Sequence, residues 1–367
     1  MLIRSIMLKN FLSFGDYDQW LDLEPLNVVI GGNGKGKTNF VNAFEFLSKI
    51  PKDLDKYLRD CGGVDEWLFN IDEDVNSTPV AEIKAIFERA QTEVDEFLSY
   101  EMSFTSEGGS FRLVDEKIEN KGEQTMFRRK RPTFYYHYEN GSPFVRSIKN
   151  KIPVSLEDLN HSALAQMGLG HYRQIASLIK DMADIRVYKD WVFGRNMPAR
   201  HPQTSGFKDK ILKPDFSNLP TVLNEIKKDP NRKKRFIQTL RHVGEFEDFE
   251  IEAEGTNLKA YVATKNLESL VPVSRLSDGT LHFMCLLAIL LNPALPPFIC
   301  IDGLGLGLRE DVLPAVADTI NITSKKCQIV VTSHSPKFID CYAYLPGTVM
   351  VCDMDYDGTE LSRVEKS

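Results

Sequence analysis

Residues Gly31-Gly32-Asn33-Gly34-Lys35-Gly36-Lys37-Thr38 fit the pattern G-x-x-x-x-G-K-[ST], and few short stretches restrict a fold so strongly. Ahead of it, Leu26-Asn27-Val28-Val29-Ile30 reads as a buried strand. Behind it, Val41, Phe44, Phe46, Leu47 and Ile50 recur at helical spacing until Pro51 closes the run. A glycine loop between strand and helix lets successive backbone N–H groups turn toward a polyphosphate, and the helix N-terminus adds its dipole. Lys37 is then placed for the β- and γ-phosphates and Thr38 for a magnesium ion. A glycine-rich turn with a chance lysine is the competing reading, and both flanks weigh against it. The pattern predicts that Asn33, Gly34, Lys35, Gly36, Lys37, Thr38 and Asn39 bind a nucleoside triphosphate, with ATP and Mg²⁺ as the expected ligands.

The chain of 367 residues is long enough for one large domain or two to three ordinary ones. Its 42% hydrophobic and 26% charged residues are those of an ordinary soluble globular protein. No apolar run approaches the roughly 20 residues that span a bilayer. Met1-Leu2-Ile3-Arg4-Ser5-Ile6 lacks the layout of a secretion signal. A formal net charge of −7 argues against a surface coated with nucleic acid, though it leaves room for a local basic patch. Cys61, Cys285, Cys300, Cys327, Cys341 and Cys352 form no C-x-x-C pair, and Cys285 and Cys300 lie in apolar runs as buried thiols would. A reducing cytoplasm is the expected location, with no membrane partner.

Residues 1–50 read as two strands, the glycine loop and a helix. Asp53 to Asn76 is acidic and turn-rich. From Val80 to about Tyr138, alternating segments and the turn signal Gly108-Gly109 predict an antiparallel sheet. Residues 155–190 look helical, Asn196 to Pro220 reads as a long loop, and a further helix is expected from Leu223 to about Val243. Strand alternation returns at Phe249-Glu250-Ile251-Glu252-Ala253. The last third alternates an apolar helix from Leu281 to Leu291, a strand Pro297–Asp302, a helix Val312–Ile320 and a strand Gln328–His334. That alternation predicts a parallel sheet whose ligands sit beyond the carboxyl ends of its strands.

Several polar residues fall at those ends. Asp302 closes an apolar strand, where an acid partners Thr38 in holding magnesium through water. Alone it would suit a cap or turn equally well; beside a glycine loop it reads as a metal acid. His334, after the next strand, is placed for a γ-phosphate or an attacking water, although in isolation it would pass as a turn histidine. In Ser274-Arg275-Leu276-Ser277-Asp278-Gly279-Thr280, Ser277 and Gly279 start a helix, which suits either a phosphate or an ordinary N-cap.

Taken in order, GGNGKGKTN, LSDGT, PPFICID and VVTSHSP resemble the head domains of ABC-type ATPases, including the structural-maintenance-of-chromosomes, RecF and OLD-family proteins, and most of all stand-alone bacterial AAA/ABC-type ATPases. Ile6-Met7-Leu8-Lys9-Asn10-Phe11-Leu12-Ser13-Phe14 and Ser162-Ala163-Leu164-Ala165-Gln166 extend the likeness. The resemblance implies an α/β P-loop NTPase of ABC-ATPase head type. It also implies that Gln166 is the Q-loop residue and that Lys9 to Phe14 lie beside the ribose and base. Two heads would sandwich two ATP molecules as a homodimer or within a higher oligomer, Ser277 facing the γ-phosphate held by the other copy. Relatives carry a glutamate after the Walker B acid; here the run is Asp302-Gly303-Leu304-Gly305-Leu306-Gly307-Leu308-Arg309-Glu310. Losing a general base typically costs ~10²–10⁴ in rate. Hydrolysis is therefore expected to be slow or absent unless His334, Glu310, Asp311 or a partner's group substitutes.

Residues 1–90 and 245–367 are expected to form the split ATP-binding head and 91–244 an inserted sheet-plus-helix lobe. Two basic clusters fall in that lobe. Phe127-Arg128-Arg129-Lys130-Arg131-Pro132-Thr133-Phe134-Tyr135-Tyr136-His137-Tyr138 mixes cations with aromatics, and Lys227-Lys228-Asp229-Pro230-Asn231-Arg232-Lys233-Lys234-Arg235 is the second. DNA contact and a plain solvated surface both remain open for each. The expected function is an ATP-dependent dimeric switch serving anti-phage defence or DNA maintenance through a separate effector, since the stretch after His334 is too short for an OLD-type nuclease. The alternative is a non-hydrolysing, ATP-bound scaffold.

Overall fold

The computed structural model describes residues 2–69, 79–89, 96–120, 133–139, 142–146, 151–153, 156, 158, 161–166, 173–204 and 209–364. Contacts divide the chain into two compact units, Met1–Ile185 with Gly347–Ser367 and Arg186–Pro346.

The first unit opens with three strands where two were expected: β1 (Leu2–Lys9), β2 (Gln19–Asp22) and β3 (Leu26–Ile30). Helix α1 (Lys37–Lys49) follows the glycine loop, and α2 (Leu54–Asp60) begins where the Asp53 carboxylate accepts the Lys56 N–H. Strands β4 (Ala81–Arg89), β5 (Glu96–Glu107), β6 (Ser110–Asn120), β7 (Thr133–Glu139), β8 (Ser142–Arg146) and β9 (Lys151–Pro153) then build the expected antiparallel sheet. Its order is β2-β1-β4-β5-β6-β7-β8-β9. Alternation is visible residue by residue: Ile83, Ala85 and Phe87 are buried, while Glu82, Lys84 and Ile86 between them are half-buried. The pairing of β4 with β5 carries one sheet past residue 90.

Aromatic rings join α1 to this sheet. Phe46 of α1 stacks on Phe104 at 5.2 Å and meets Phe11 edge-on at 5.3 Å, with Trp67 at 5.6 Å. Such pairs contribute ~0.5–1.5 kcal/mol each beyond their buried area. The stretch expected to be helical over 155–190 holds α3 (Ala163–Gln166) and α4 (Arg173–Ala183), the latter packed on α1; residues 155, 157, 159–160 and 167–172 lie outside the described residues.

In the second unit, residues 186–188 are a strand rather than helix, β10 (Arg186–Tyr188), with Val187 and Tyr188 buried. The expected loop over 196–220 contains β11 (Gln203–Thr204). The expected single helix from 223 to 243 is two, α5 (Leu219–Lys227) and α6 (Pro230–Leu240). The Asp229 carboxylate caps α6 by accepting the Asn231 and Arg232 N–H groups, and Pro230, with no N–H, cannot extend α5. A small antiparallel sheet follows, β12 (Phe246–Glu254), β13 (Asn257–Thr264) and β14 (Val271–Pro272), with β11 and β14 both paired to β13. Then come α7 (Asp278–Leu290), β15 (Phe298–Ile301), α8 (Leu313–Thr323), β16 (Gln328–Ser333) and α9 (Pro336–Asp340). β10, β15 and β16 are parallel neighbours in that order. β15 and β16 are buried along their whole length, which is why their apolar residues fall side by side rather than alternating.

The chain returns to the first unit as a hairpin that the sequence reading did not anticipate, β17 (Val349–Asp355) and β18 (Gly358–Arg363). β17 runs parallel to β3 and antiparallel to β18. Among the described residues, no helix is long and apolar enough to cross a membrane.

Candidate nucleotide site

In the first unit, the glycine loop links β3 to α1, and β17 and β18 wall it. A Cβ on Gly31 would stand 2.3 Å from the Cys352 carbonyl oxygen, and one on Gly36 only 2.1 Å from Thr359 Oγ1. Gly36, at φ +95°, is also the N-cap of α1, and no side chain caps that helix. Lys37 is buried at 8% exposure, and its Nζ donates to the carbonyls of Gly31 (2.8 Å) and Gly32 (2.6 Å). An ammonium held on the loop's own carbonyls keeps the loop curled and places positive charge at its centre. With an uncapped helix start beside it, this cradle fits a nucleotide polyphosphate.

The neighbouring residues have identifiable tasks. Lys35 Nζ pairs with the Asp353 carboxylate at 2.7 Å, which ties the loop to β17. Cys352 Sγ donates to the Lys35 carbonyl at 2.9 Å, and burial pushes this thiol up to about 11. Asn39 donates to Ser13 Oγ at 2.8 Å, and Thr359 Oγ1 donates to the same oxygen at 2.7 Å. Asn33, Gly34 and Thr38 are exposed. Within the segment expected beside the ribose and base, Phe11 and Phe14 are buried in the aromatic core.

Gln166 ends α3 and uses its amide locally: Nε2 donates to the Asp158 (2.6 Å) and His161 (3.1 Å) carbonyls, and Oε1 accepts the Asp158 N–H (2.9 Å). The start of α3 hangs on a residue that sequence reasoning missed. Glu116 on β6 is wholly buried and accepts from Tyr100 Oη (2.6 Å), Ser162 Oγ (2.5 Å) and the Ala163 N–H (2.8 Å). Burial raises its pKa above the ordinary 4.5, against those three hydrogen bonds. The folded chain then holds this proton to higher pH than the unfolded chain does. Stability from this group is full below the ordinary carboxyl value and is lost as pH rises through the raised one. Glu116→Gln is expected to flatten that slope, read as urea midpoints between about pH 4 and 8.

In the second unit, Asp302 and His334 follow the adjoining ends of β15 and β16, where Ile301 pairs with Val331. Thr332 binds the acid to its neighbour strand: its hydroxyl donates to the Asp302 carboxylate and accepts the Gly303 N–H at 2.8 Å. The Leu304 N–H donates to the Thr332 carbonyl (2.8 Å), and Ser333 Oγ to the Leu304 carbonyl (2.7 Å). His334 is exposed immediately beyond. Gly303, Gly305 and Gly307 all have positive φ, at 66°, 107° and 71°. A Cβ on Gly307 would meet Phe193 at 2.7 Å, whereas one on Gly303 meets nothing within 4 Å. Glu310 and Asp311 are exposed, and the Asp311 carboxylate accepts from Nε and one Nη of Arg309.

Ser277 is the N-cap of α7; its Oγ accepts the Thr280 N–H at 3.2 Å and pairs with Thr280 Oγ1 at 2.8 Å. A Cβ on Gly279 would lie 2.8 Å from the Gly307 carbonyl oxygen. The glycine lets the loop after Asp302 rest on the helix start, so both segments form one surface. Beneath them His282, 2% exposed, lies 3.9 Å from the Trp191 ring, and burial pushes its pKa down to about 4. The structure thus gathers Lys35, Lys37 and Asn39 in one unit and Asp302, His334, Ser277 and Gly279 in the other.

A family described as "AAA domain, putative AbiEii toxin, Type IV TA system" matches residues 26–340. The chain belongs to this AAA-domain family. The fold agrees with it. The Smc head bound to the C-winged helix domain of ScpA aligns with a TM-score of 0.60 at 11% identity, covering 99% of this chain and 98% of that one. An Smc head with an extended coiled coil, bound to the C-terminal domain of ScpA and derived from Pyrococcus furiosus, gives 0.58 at 11% identity over 98% and 95%. No curated protein matches the sequence. The AAA domain is thus an ATPase domain with the P-loop NTPase fold of Smc heads.

The basic clusters of this AAA domain divide. Residues 127–132 of the first lie outside the described residues. In the second, Lys227 pairs with Glu250, Lys228 with Glu225, Arg232 with Asp229 and Lys233 with Asp248. Acids of β12 and of the adjoining helices thus pair with four of the six cations in this cluster.

Proposed function

We propose that this AAA domain is an ATP-dependent dimerising switch, slow in hydrolysis, that acts with a separate effector. Lys37 and the loop N–H groups bind the triphosphate, and the Thr38 hydroxyl beside them would hold Mg²⁺. Bound magnesium would neutralise phosphate charge. The observation that carries the reading is the Ser277 helix start: it is exposed, and it rests on the loop that follows Asp302. An exposed helix N-terminus offers N–H groups and a partial positive charge to a phosphate presented by a second copy.

Charge supplies the test. If Ser277 faces a triphosphate, Ser277→Glu sets like charges together, at a cost of several kcal/mol. Mg–ATP should then raise the mass measured by light scattering from one copy to two for the unaltered chain, with the variant's dimer weaker by on the order of 100-fold. An unaltered dimer in the variant would remove the reading.

The family description, with its AbiEii toxin and type IV TA system, favours anti-phage defence over DNA maintenance. The ScpA-bound Smc heads support a partner distinct from this chain. A second reading, the ATP-bound scaffold without turnover, draws on Gly303, because a glycine supplies no base. Labelled ATP that stays bound while releasing no phosphate would favour it.

A further inference from the structure

Arg200 ends a short helical turn, Pro198–Arg200, and its side chain is only 11% exposed. Its Nε donates to the Gly194 carbonyl at 3.0 Å. One Nη donates to the carbonyls of Ser274 (2.9 Å) and Leu276 (2.7 Å), and the other to the Asp278 carboxylate (2.5 Å). The Gly194 N–H donates to the same Asp278 oxygen at 3.0 Å. One guanidinium therefore grips the backbone just before Ser277 and the side chain just after it. This segment leaves a short helical turn, Val273–Arg275, and passes through extended Leu276 before α7 begins, so no regular ladder fixes its course. Ser277 spends its own hydroxyl on the α7 cap and cannot hold the approach.

We infer that Arg200 is a positioning residue that sets Ser277 and the first N–H groups of α7 for a nucleotide held by a second copy. The inference rests on the proposed role of Ser277 between copies. A planar fork reaching two carbonyls, a carboxylate and a third carbonyl has no substitute in lysine, whose donors radiate from one point. Loss of a charge-assisted hydrogen bond corresponds to on the order of tenfold to a hundredfold in an equilibrium.

Mixing of variants tests this, with Mg and radiolabelled ATP retained through rapid gel filtration as the readout. Arg200→Ala alone is expected to retain at least about tenfold less ATP than the unaltered chain. Lys37→Ala alone should retain none. Mixed, they can assemble one intact site, with the glycine loop of the Arg200→Ala copy facing the Ser277 segment of the Lys37→Ala copy, and retention should return. A defect confined to folding would not be repaired by mixing. Ser277→Glu mixed with Lys37→Ala is the control. Rescue in the control but not with Arg200→Ala overturns the Arg200 inference alone, and failure of both mixtures overturns the role of Ser277 as well. Unaltered retention by Arg200→Ala also overturns the inference. Should that variant not fold, Arg200→Lys replaces it, with retention reduced and restored by mixing expected, and retention equal to the unaltered chain refuting the clamp.

Discussion

Lys37→Ala should weaken ATP binding severely. The side chain now donates to the carbonyls of Gly31 and Gly32 at 2.8 and 2.6 Å, inside a loop that buries it. Hydrogen bonds to a charged group contribute ~1.5–3 kcal/mol each. A triphosphate that takes up two of those donors loses them together in the variant, so affinity should fall by on the order of 100-fold or more. The folded state pays a smaller amount, because the two carbonyls lose a buried donor at ~1–3 kcal/mol. Calorimetric titration with Mg–ATP checks the first effect and urea unfolding the second. An affinity within a few-fold of the unaltered chain, with the variant folded, would mean that the loop holds something other than the phosphates.

Much of this site was legible because its parts are local. Strand, glycine loop and helix are contiguous, and Ser277 caps a helix whose apolar run announces itself. Asp302 stands out as a strand end because β15 is buried throughout and then stops. What escaped lies far apart in sequence. Thr359 and Cys352 wall a loop more than 300 residues earlier, and Arg200 reaches Asp278 across 78 positions. Neither leaves a periodic trace. Glu116 is similar: a carboxylate in an alternating strand looks solvent-facing until Ser162 and Tyr100 are seen around it.

Other omissions had signals. Asp357-Gly358 between two alternating runs is a hairpin mark, and β17 and β18 pair across it. Asp229-Pro230 is a cap followed by a helix-starting proline, and α5 and α6 divide there. The cluster Lys227 to Arg235 looked basic partly because sequence order hides two of its neutralisers. Asp248 and Glu250 arrive from β12. Charge counted along a chain is therefore a poor guide to charge presented by a surface.

Gly303→Glu is expected to raise phosphate release by ~10²–10⁴, the usual contribution of a positioned general base. The structure gives reasons to expect a folded variant. A Cβ at Gly303 meets nothing within 4 Å, unlike one at Gly307, which would strike Phe193. The Gly303 N–H bond to Thr332 Oγ1 is made by the backbone and survives the change. The cost is conformational: φ at 303 is +66°, where a non-glycine residue gives up roughly 1–2 kcal/mol. Urea midpoints should show that loss even where turnover rises, so the two effects are separable in one preparation. A change of rate without stability loss would imply that the loop had rearranged. If the variant folds, binds Mg–ATP as before and still releases phosphate no faster, Gly303 is not what limits hydrolysis. Exposed His334, at the end of the neighbouring strand, would then be the next residue to replace.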